Sequence, residues 1–202
     1  GLSAIGIRLT PAKLGALGLT LKKIVRSRHD GSVRLVPNNC LELSTAQVYH
    51  SHLADEHGAE LLIATDGQKT VIARTIAVQD IDSYTLRDRG RPMRDARVGM
   101  LPPKLAQIIV NLASSQHASR SEVLLDPFCG TGVTLQEALL MGYSAYGTDL
   151  EPRMVTYSRE NIDWLTGKYE LSIDQSCTIE EGDATLYTWS QPIHVVAGET
   201  YL

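Results

Sequence analysis

Residues 122–132 read Glu-Val-Leu-Leu-Asp-Pro-Phe-Cys-Gly-Thr-Gly and carry the strongest structural signal in the chain. An apolar run of strand length ends at Asp126, and a loop containing Gly130 and Gly132 follows it. Glycine has no Cβ, so this loop can turn tightly and a ligand can approach its backbone. A helical pattern over 133–141 comes next, and the first N–H groups of a helix favour an anion. The stretch therefore predicts a strand, a ligand-binding loop and a helix.

The rest of the chain divides into two parts. After the quoted loop, strands alternate with helices, which predicts an α/β, Rossmann-like, doubly wound parallel sheet. The expected strands lie at 122–125, 144–148, near 182–183 and at 193–197, with helices at 103–112, 133–141 and 152–165. The first part predicts a small α+β region, with helices at 12–25 and 44–54, a strand at 32–36 and a hairpin at 60–64 and 70–75. We place the α+β region at residues 1–81, a polar connector at 82–98 and the Rossmann-like domain at 99–202.

Three acidic residues follow three successive strands of the expected sheet: Asp126, Asp149 and Asp183. In such sheets ligands bind at the carboxyl ends of the strands. Asp126 would repel a pyrophosphate and suits an ammonium group, and Leu135 stands where a dinucleotide-binding fingerprint needs its third glycine. Asp149 is placed to accept ribose hydroxyls, and Asp183 to accept an adenine amine. This pattern favours a ligand with an amine and a carboxylate, such as the methionine part of S-adenosylmethionine, over NAD.

The segment Asp126–Gly132 resembles motif I of the RNA and DNA amino-methyltransferases. Further stretches are similar to the THUMP-domain tRNA guanine-N2 methyltransferases: Arg91-Pro-Met93, Gly99–Ala106, Asn111-Leu112, Gly147–Leu150 and Asn161–Leu165. The resemblance implies a class I methyltransferase fold, S-adenosyl-L-methionine as cofactor, tRNA as partner and the exocyclic N2 amine of a guanine as methyl acceptor. It also implies that residues 1–81 correspond to the end of a THUMP domain and its linker. The three widely spaced cysteines indicate a reducing compartment, so we expect a cytoplasmic protein.

The resemblance assigns roles to individual residues. Glu199 stands for the acid of motif IV, which contacts the target amine, although Thr200 and Tyr201 replace the two prolines of that motif. The sequence ends within this motif, so we expect an incomplete methyltransferase fold. The expected cofactor-binding residues are Asp126, Phe128, Cys129, Gly130, Thr131, Gly132, Asp149, Leu150, Asp183 and Ala184.

Charge and composition exclude little. The formal net charge is −4, but seven of the cations lie within residues 1–34, where Asp30 is the only acid. No apolar run is long enough to span a bilayer, so no membrane association is expected. Three widely spaced cysteines argue against a disulfide framework, and His50, His52 and His57 do not have the spacing of a metal site on one helix face, so no metal is expected.

Two other functions stay open at this point. A DNA adenine or cytosine amino-methyltransferase shares motif I, but the segments Arg91-Pro-Met93 and Gly99–Ala106 argue against it. A non-catalytic module that binds S-adenosylmethionine or RNA is compatible with the altered motif IV. Methyl transfer to tRNA, to DNA or to neither distinguishes these functions.

Overall fold

The structure is a computed structural model that describes residues 1–28, 30–97, 100–114, 122–172 and 174–200. Two residues of the quoted motifs, Gly99 and Tyr201, lie outside this described part. The chain forms two compact units, Gly1–Ile81 and Asp82–Leu202. No helix in the described residues is both long enough and apolar enough to cross a membrane.

The described residues contain seven strands and six helices. The strands are β1 (Leu2–Ile5), β2 (Leu61–Thr65), β3 (Thr70–Arg74), β4 (Val123–Asp126), β5 (Ser144–Asp149), β6 (Cys177–Glu181) and β7 (Val195–Val196). The helices are α1 (Pro11–Arg26), α2 (Thr45–His50), α3 (Ile81–Arg89), α4 (Pro103–Ala113), α5 (Val133–Leu140) and α6 (Pro152–Thr166).

The first unit is a three-stranded sheet with two helices, as predicted for a small α+β region. Strand β1 pairs in parallel with β2, which forms the predicted hairpin with β3. Helix α1 packs against β1 through Leu14, which is buried with Leu2 and Ala4. Its first turn holds Pro11, whose missing N–H would have no partner at this position.

Two predictions in the first unit are wrong. Residues 32–36 form no strand, and their backbone pairs with no strand of the sheet. Their apolar side chains are used in packing instead, since Val36 packs against the cluster of Leu43 and Val48. Helix α2 has the predicted capping box between Ser44 and Gln47, but it ends at His50 rather than continuing to residue 54. The chain leaves the helix through His52, whose φ of 53° breaks the helical path.

The second unit contains a four-stranded parallel sheet with the strand order β6-β5-β4-β7. Numbered along the chain, this order is third, second, first, fourth, which is the strand arrangement of one half of a doubly wound sheet and the start of the other. The predicted Rossmann-like fold is thereby confirmed. The order of the strands reverses between β4 and β7, where a crevice opens at their carboxyl ends.

Helices α4, α5 and α6 cover one face of this sheet. Leu124 of β4 lies among Val110 and Ala138, while Ala145 of β5 lies among Leu135 and Leu165. The opposite face is contacted by Tyr187, Trp189 and Ile193, from the segment that joins β6 to β7. Both faces of the two central strands are therefore buried, which explains the apolar run of β4 and the small or aromatic residues Ala145, Tyr146 and Gly147 of β5.

The polar stretch 82–98, expected as a connector, lies in the second unit and begins inside α3. Arg87 of α3 is buried and donates from Nε to Glu137 Oε1 at 2.6 Å. The Arg87 guanidinium also lies over the Tyr84 ring, 4.5 Å from its centroid. Because Glu137 belongs to α5, this ion pair anchors α3 to the helix that follows the glycine loop.

Candidate functional site

Three carboxylates lie along one edge of the parallel sheet. Asp126 ends β4, Asp149 ends β5, and Asp183 follows β6. These three strands are neighbours, and the N–H of Gly182 donates to the Asp149 carbonyl oxygen at 3.0 Å. The parallel strand order therefore places these acids side by side, at the edge where this class of sheet binds its ligands.

Asp126 is the most buried of these acids, with 2% of its surface exposed. Its Oδ1 accepts the N–H of Phe128 at 3.1 Å. Burial raises the pKa of the Asp126 carboxyl to about 7, and the charges of Asp149 and Glu199 act in the same direction. Such a surplus of negative charge attracts a cation and disfavours a phosphate group.

The glycine loop depends on two residues with left-handed backbone conformation. Gly130 has a φ of 53° and Gly132 a φ of 80°, which favour glycine over any residue with a Cβ. A Cβ on Gly132 would in addition stand less than 3.0 Å from Ser158 Oγ, whereas a Cβ on Gly130 would meet open space. Gly132 is also the N-cap of α5, so the loop delivers the chain directly into that helix.

Asp149 holds the glycine loop from the neighbouring strand. Its Oδ2 accepts the N–H of Gly130 at 2.8 Å, and its Oδ1 accepts the N–H of Glu151 at 3.0 Å. The Cys129 N–H donates to the carbonyl of Thr148 at 2.9 Å, which adds a second link between loop and strand. Since each carboxylate oxygen has two lone pairs, Asp149 can still accept hydrogen bonds from a ligand hydroxyl.

A small cavity of about 70 Å³ lies between the glycine loop and the end of β7. It brings together six of the predicted site residues: Asp126, Phe128, Cys129, Gly130, Thr131 and Glu199. Glu199 is exposed at its rim. The cavity is also lined by Leu101, Val133 and Thr134, which the sequence analysis did not select. No local sequence pattern marks these three residues as cavity-lining, since Leu101 lies in the segment before motif I and the other two begin α5.

The remaining predicted residues lie further along the sheet edge. Leu150 is 71% exposed, Ala184 is half-buried, and neither lines the cavity. Asp183 is exposed, and its Oδ1 accepts the N–H and the hydroxyl of Thr185 at 2.9 and 2.7 Å. These bonds, the hydroxyl first, lower the pKa of Asp183, so it stays ionised.

The other candidate reactive side chains, Cys129 and the histidines near residue 52, do not form a second site among the residues that the structure describes. Burial raises the pKa of the Cys129 thiol far above its usual value, so Cys129 is a packing residue rather than a nucleophile. His52 Nδ1 contacts Asp55 Oδ2 at 2.8 Å on the surface of the first unit. Within the described ranges, no three His, Cys, Asp or Glu side chains lie close enough together to hold a metal ion.

Comparison with known proteins gives a family match within the second unit and similarities to methyltransferases. Residues 87–160 match a family model described as DNA methylase. The tRNA (guanine(10)-N2)-dimethyltransferase of Methanothermobacter thermautotrophicus is 48% identical over 64 residues, which are 32% of this chain and 18% of that protein. The enzyme of the same name from Pyrococcus abyssi is 39% identical over 82 residues, 40% of this chain and 23% of that protein. This chain is similar to tRNA (guanine(10)-N2)-dimethyltransferases.

The resemblance to tRNA guanine-N2 methyltransferases is thus confirmed, while the likeness of residues 1–81 to a THUMP domain stays a prediction. The matches span less than a quarter of either dimethyltransferase, so they concern one part of those proteins. Among solved structures, TrmN from Thermus thermophilus is 16% identical with a TM-score of 0.43, covering 90% of this chain and 45% of its own. SMU.472 with bound SAH is 14% identical with a TM-score of 0.46, covering 98% and 55%. Both likenesses are weak, and the strand order itself defines the fold.

Proposed function

We propose that this chain is the cofactor-binding part of an S-adenosylmethionine-dependent methyltransferase that modifies the N2 amine of a guanine in tRNA. The observation that carries the cofactor assignment is the buried carboxyl of Asp126 beside the glycine loop, at the reversal of strand order between β4 and β7. The similarity to tRNA (guanine(10)-N2)-dimethyltransferases supports the substrate.

The residues of the site fit the chemical groups of S-adenosylmethionine. The Asp126 carboxylate suits the ammonium, and the first turn of α5 offers N–H groups to the carboxylate. We assign the ribose hydroxyls to Asp149, which ends β5, and the adenine amine to Asp183, which follows β6. Phe128, Cys129, Gly130 and Thr131, which line the cavity beside Asp126, are proposed to contact the methionine end, and Leu150 and Ala184 to contact the nucleoside.

The chemistry requires mainly alignment. When bound, S-adenosylmethionine supplies a methyl group activated by a positively charged sulfur. Glu199, at the rim of the cavity, is proposed to accept a hydrogen bond from the exocyclic amine of a guanine that has left its stack, and so to direct the nitrogen lone pair at the methyl group. Holding both reactants in line supplies much of the rate enhancement without a covalent enzyme intermediate.

Two related functions make different predictions. The family model described as DNA methylase fits an amino-methyltransferase acting on DNA, but the identity of 48% to a tRNA enzyme favours tRNA. A non-catalytic module would keep the cofactor site and lose transfer. We further propose that residues 1–81 are the end of a THUMP domain with its linker. A cytoplasmic location fits both tRNA as substrate and the free thiols of Cys40, Cys129 and Cys177.

Methyl transfer from labelled S-adenosylmethionine to tRNA and to duplex DNA tests the proposal. The expected product is N2-methylguanine in tRNA, and Glu199→Gln should lower its yield at least tenfold. Glu170→Gln, an exposed change distant along the chain, is the matched control. Labelled adenine or cytosine in DNA would replace the proposed substrate, and cofactor binding without transfer to either nucleic acid would identify a non-catalytic module.

A further inference from the structure

Asn161 of α6 joins two separate segments of the second unit. Its side chain is fully buried, with 0% exposed. Its Oδ1 accepts the N–H of Met93 at 2.9 Å, and its Nδ2 donates to the Met93 carbonyl at 2.9 Å. The same Nδ2 donates to the Thr131 carbonyl at 2.8 Å. The amide group of Asn161 thus binds both the backbone N–H and the backbone carbonyl of Met93, and it binds the glycine loop at the same time.

The segment 91–97 begins at the buried residue Arg91. It follows α3, precedes α4, and contains no helix or strand of its own. A second link comes from the same helix α6, since Arg153 Nη2 contacts Asp95 Oδ2 at 3.2 Å. Helix α6 therefore contacts this segment at two points, Met93 and Asp95. The hydrogen bonds of Asn161 are buried, whereas the Arg153 side chain is partly exposed.

On the loop side, Asn161 fixes one peptide group together with Cys129. The Thr131 carbonyl is held by Asn161, and the N–H of the same peptide group, that of Gly132, donates to the Cys129 carbonyl at 2.7 Å. Ser158, one turn earlier on α6, packs against Gly132. A peptide group next to a glycine can rotate at low cost. With both of its polar atoms bonded, this one keeps a single orientation.

We propose that Asn161 is a positioning residue for the cofactor site, acting through the Thr131–Gly132 peptide and coupling its orientation to the segment 91–97. Thr131 lines the cavity, and Gly132 is the N-cap of α5, whose first residues Val133 and Thr134 line the same cavity. A rotation of this peptide would therefore displace both the cavity wall and the helix start. The inference rests on the proposed function, in which the glycine loop binds S-adenosylmethionine.

Asn161→Asp tests the inference most sharply, because it keeps the shape of the side chain. When ionised, the introduced carboxylate has no proton for the carbonyls of Met93 and Thr131 and repels both. When neutral, it regains one donor. The affinity for S-adenosylhomocysteine should fall at least tenfold at pH 8, and the ratio of variant to wild-type dissociation constants should shrink as the pH is lowered.

Leu165→Ala is the matched control. Leu165 is as buried as Asn161 on the same helix, yet it lies in the apolar cluster and not in the cavity lining. We expect it to lower stability in urea and to leave the affinity within threefold of the wild type. Arg153→Met removes the contact with Asp95. Because Arg153 is partly exposed, we expect this variant to fold, and it should weaken the binding of S-adenosylhomocysteine two- to fivefold.

Two results distinguish this inference from the proposed function. A folded wild-type chain that binds no S-adenosylhomocysteine would overturn the proposed function itself. The role of Asn161 alone would be overturned if Asn161→Asp and Arg153→Met both bound S-adenosylhomocysteine as tightly as the wild type. It would also be overturned if Asn161→Asp lost no more affinity than Leu165→Ala and this loss did not vary with pH.

Discussion

The carboxylate of Asp149 accepts the backbone N–H of Gly130 at 2.8 Å, so the end of one strand fixes the loop that follows its neighbour. The strand order makes this possible, because β4 and β5 lie side by side in parallel and end at the same edge. A residue expected to bind the ribose thus also shapes the loop expected to bind the methionine group. Loop geometry and cofactor affinity should therefore change together when Asp149 is replaced.

Asp149→Ala should weaken the binding of S-adenosylmethionine more than tenfold. The substitution removes charge-assisted hydrogen bonds, each worth about 1.5–3 kcal/mol, and leaves the Gly130 N–H without its partner. Calorimetric titration measures the effect. Asp163→Ala, an exposed acid on α6, is the control and should bind as the wild type does. Equal affinities for both variants would remove Asp149 from the site.

Gly132→Ala should be more damaging than Gly130→Ala. Both introduce a Cβ at a positive φ, which costs about 1–2 kcal/mol for a non-glycine residue, but only the Cβ at 132 also collides with Ser158. Urea unfolding should show a loss for Gly132→Ala that exceeds that for Gly130→Ala by at least about 1 kcal/mol. Similar losses for the two variants would mean that α6 does not press against the loop at this position.

Because of Asp126, the free energy of unfolding and the affinity for the cofactor should depend on pH in opposite directions. Its pKa of about 7 in the folded chain lies above the ordinary value of 3.8 for an aspartate carboxyl, so the folded state binds the proton more tightly. The free energy of unfolding should therefore decrease as the pH rises from about 4 to about 7, by up to about 4 kcal/mol for this group. Asp126→Asn should lack this component, which the difference between the two unfolding curves isolates.

The affinity of the wild type for S-adenosylmethionine should instead increase over the same pH range, because the ionised carboxylate attracts the ammonium group. In Asp126→Asn the affinity should be lower and nearly independent of pH around 7. An affinity in the wild type that rises on acidification would show that Asp126 does not meet a cationic group.

Much of the second unit follows from sequence because its elements are defined locally. The apolar run 123–125, the glycines of the loop and Pro152 at the start of α6 each specify a conformation without reference to distant residues. Helix α3 does not have such a pattern. Its position depends on the bond between Arg87 and Glu137, fifty residues apart, which no local rule reveals.

The same distinction applies to the site. Acids at strand ends are visible as a pattern once the strands are recognised, so Asp126, Asp149 and Asp183 could be selected from sequence. The role of Asn161 could not, because its partners Met93 and Thr131 are brought to it only by packing. Strand β1 was missed for a related reason: its residues 2–4 are all buried and show no alternation.

The buried ion pair of Arg87 and Glu137 should dominate the stability of α3. Replacing either residue alone by leucine leaves an unpaired buried charge and should cost about 3–5 kcal/mol of unfolding free energy. Replacing both should cost clearly less than the two losses added together. Urea unfolding of the two single variants and the double variant measures this coupling, and strictly additive losses would mean that the pair does not hold α3 against α5.

Calorimetric titration of S-adenosylmethionine, S-adenosylhomocysteine and NAD into this chain tests most directly whether the glycine loop forms a methyltransferase cofactor site. We expect saturable binding of the first two with one site per chain and no detectable binding of NAD, because Asp126 and Leu135 disfavour a dinucleotide. Binding of NAD at comparable affinity, or no binding of S-adenosylmethionine by a chain shown to be folded, would contradict the assignment of this loop as a methyltransferase cofactor site.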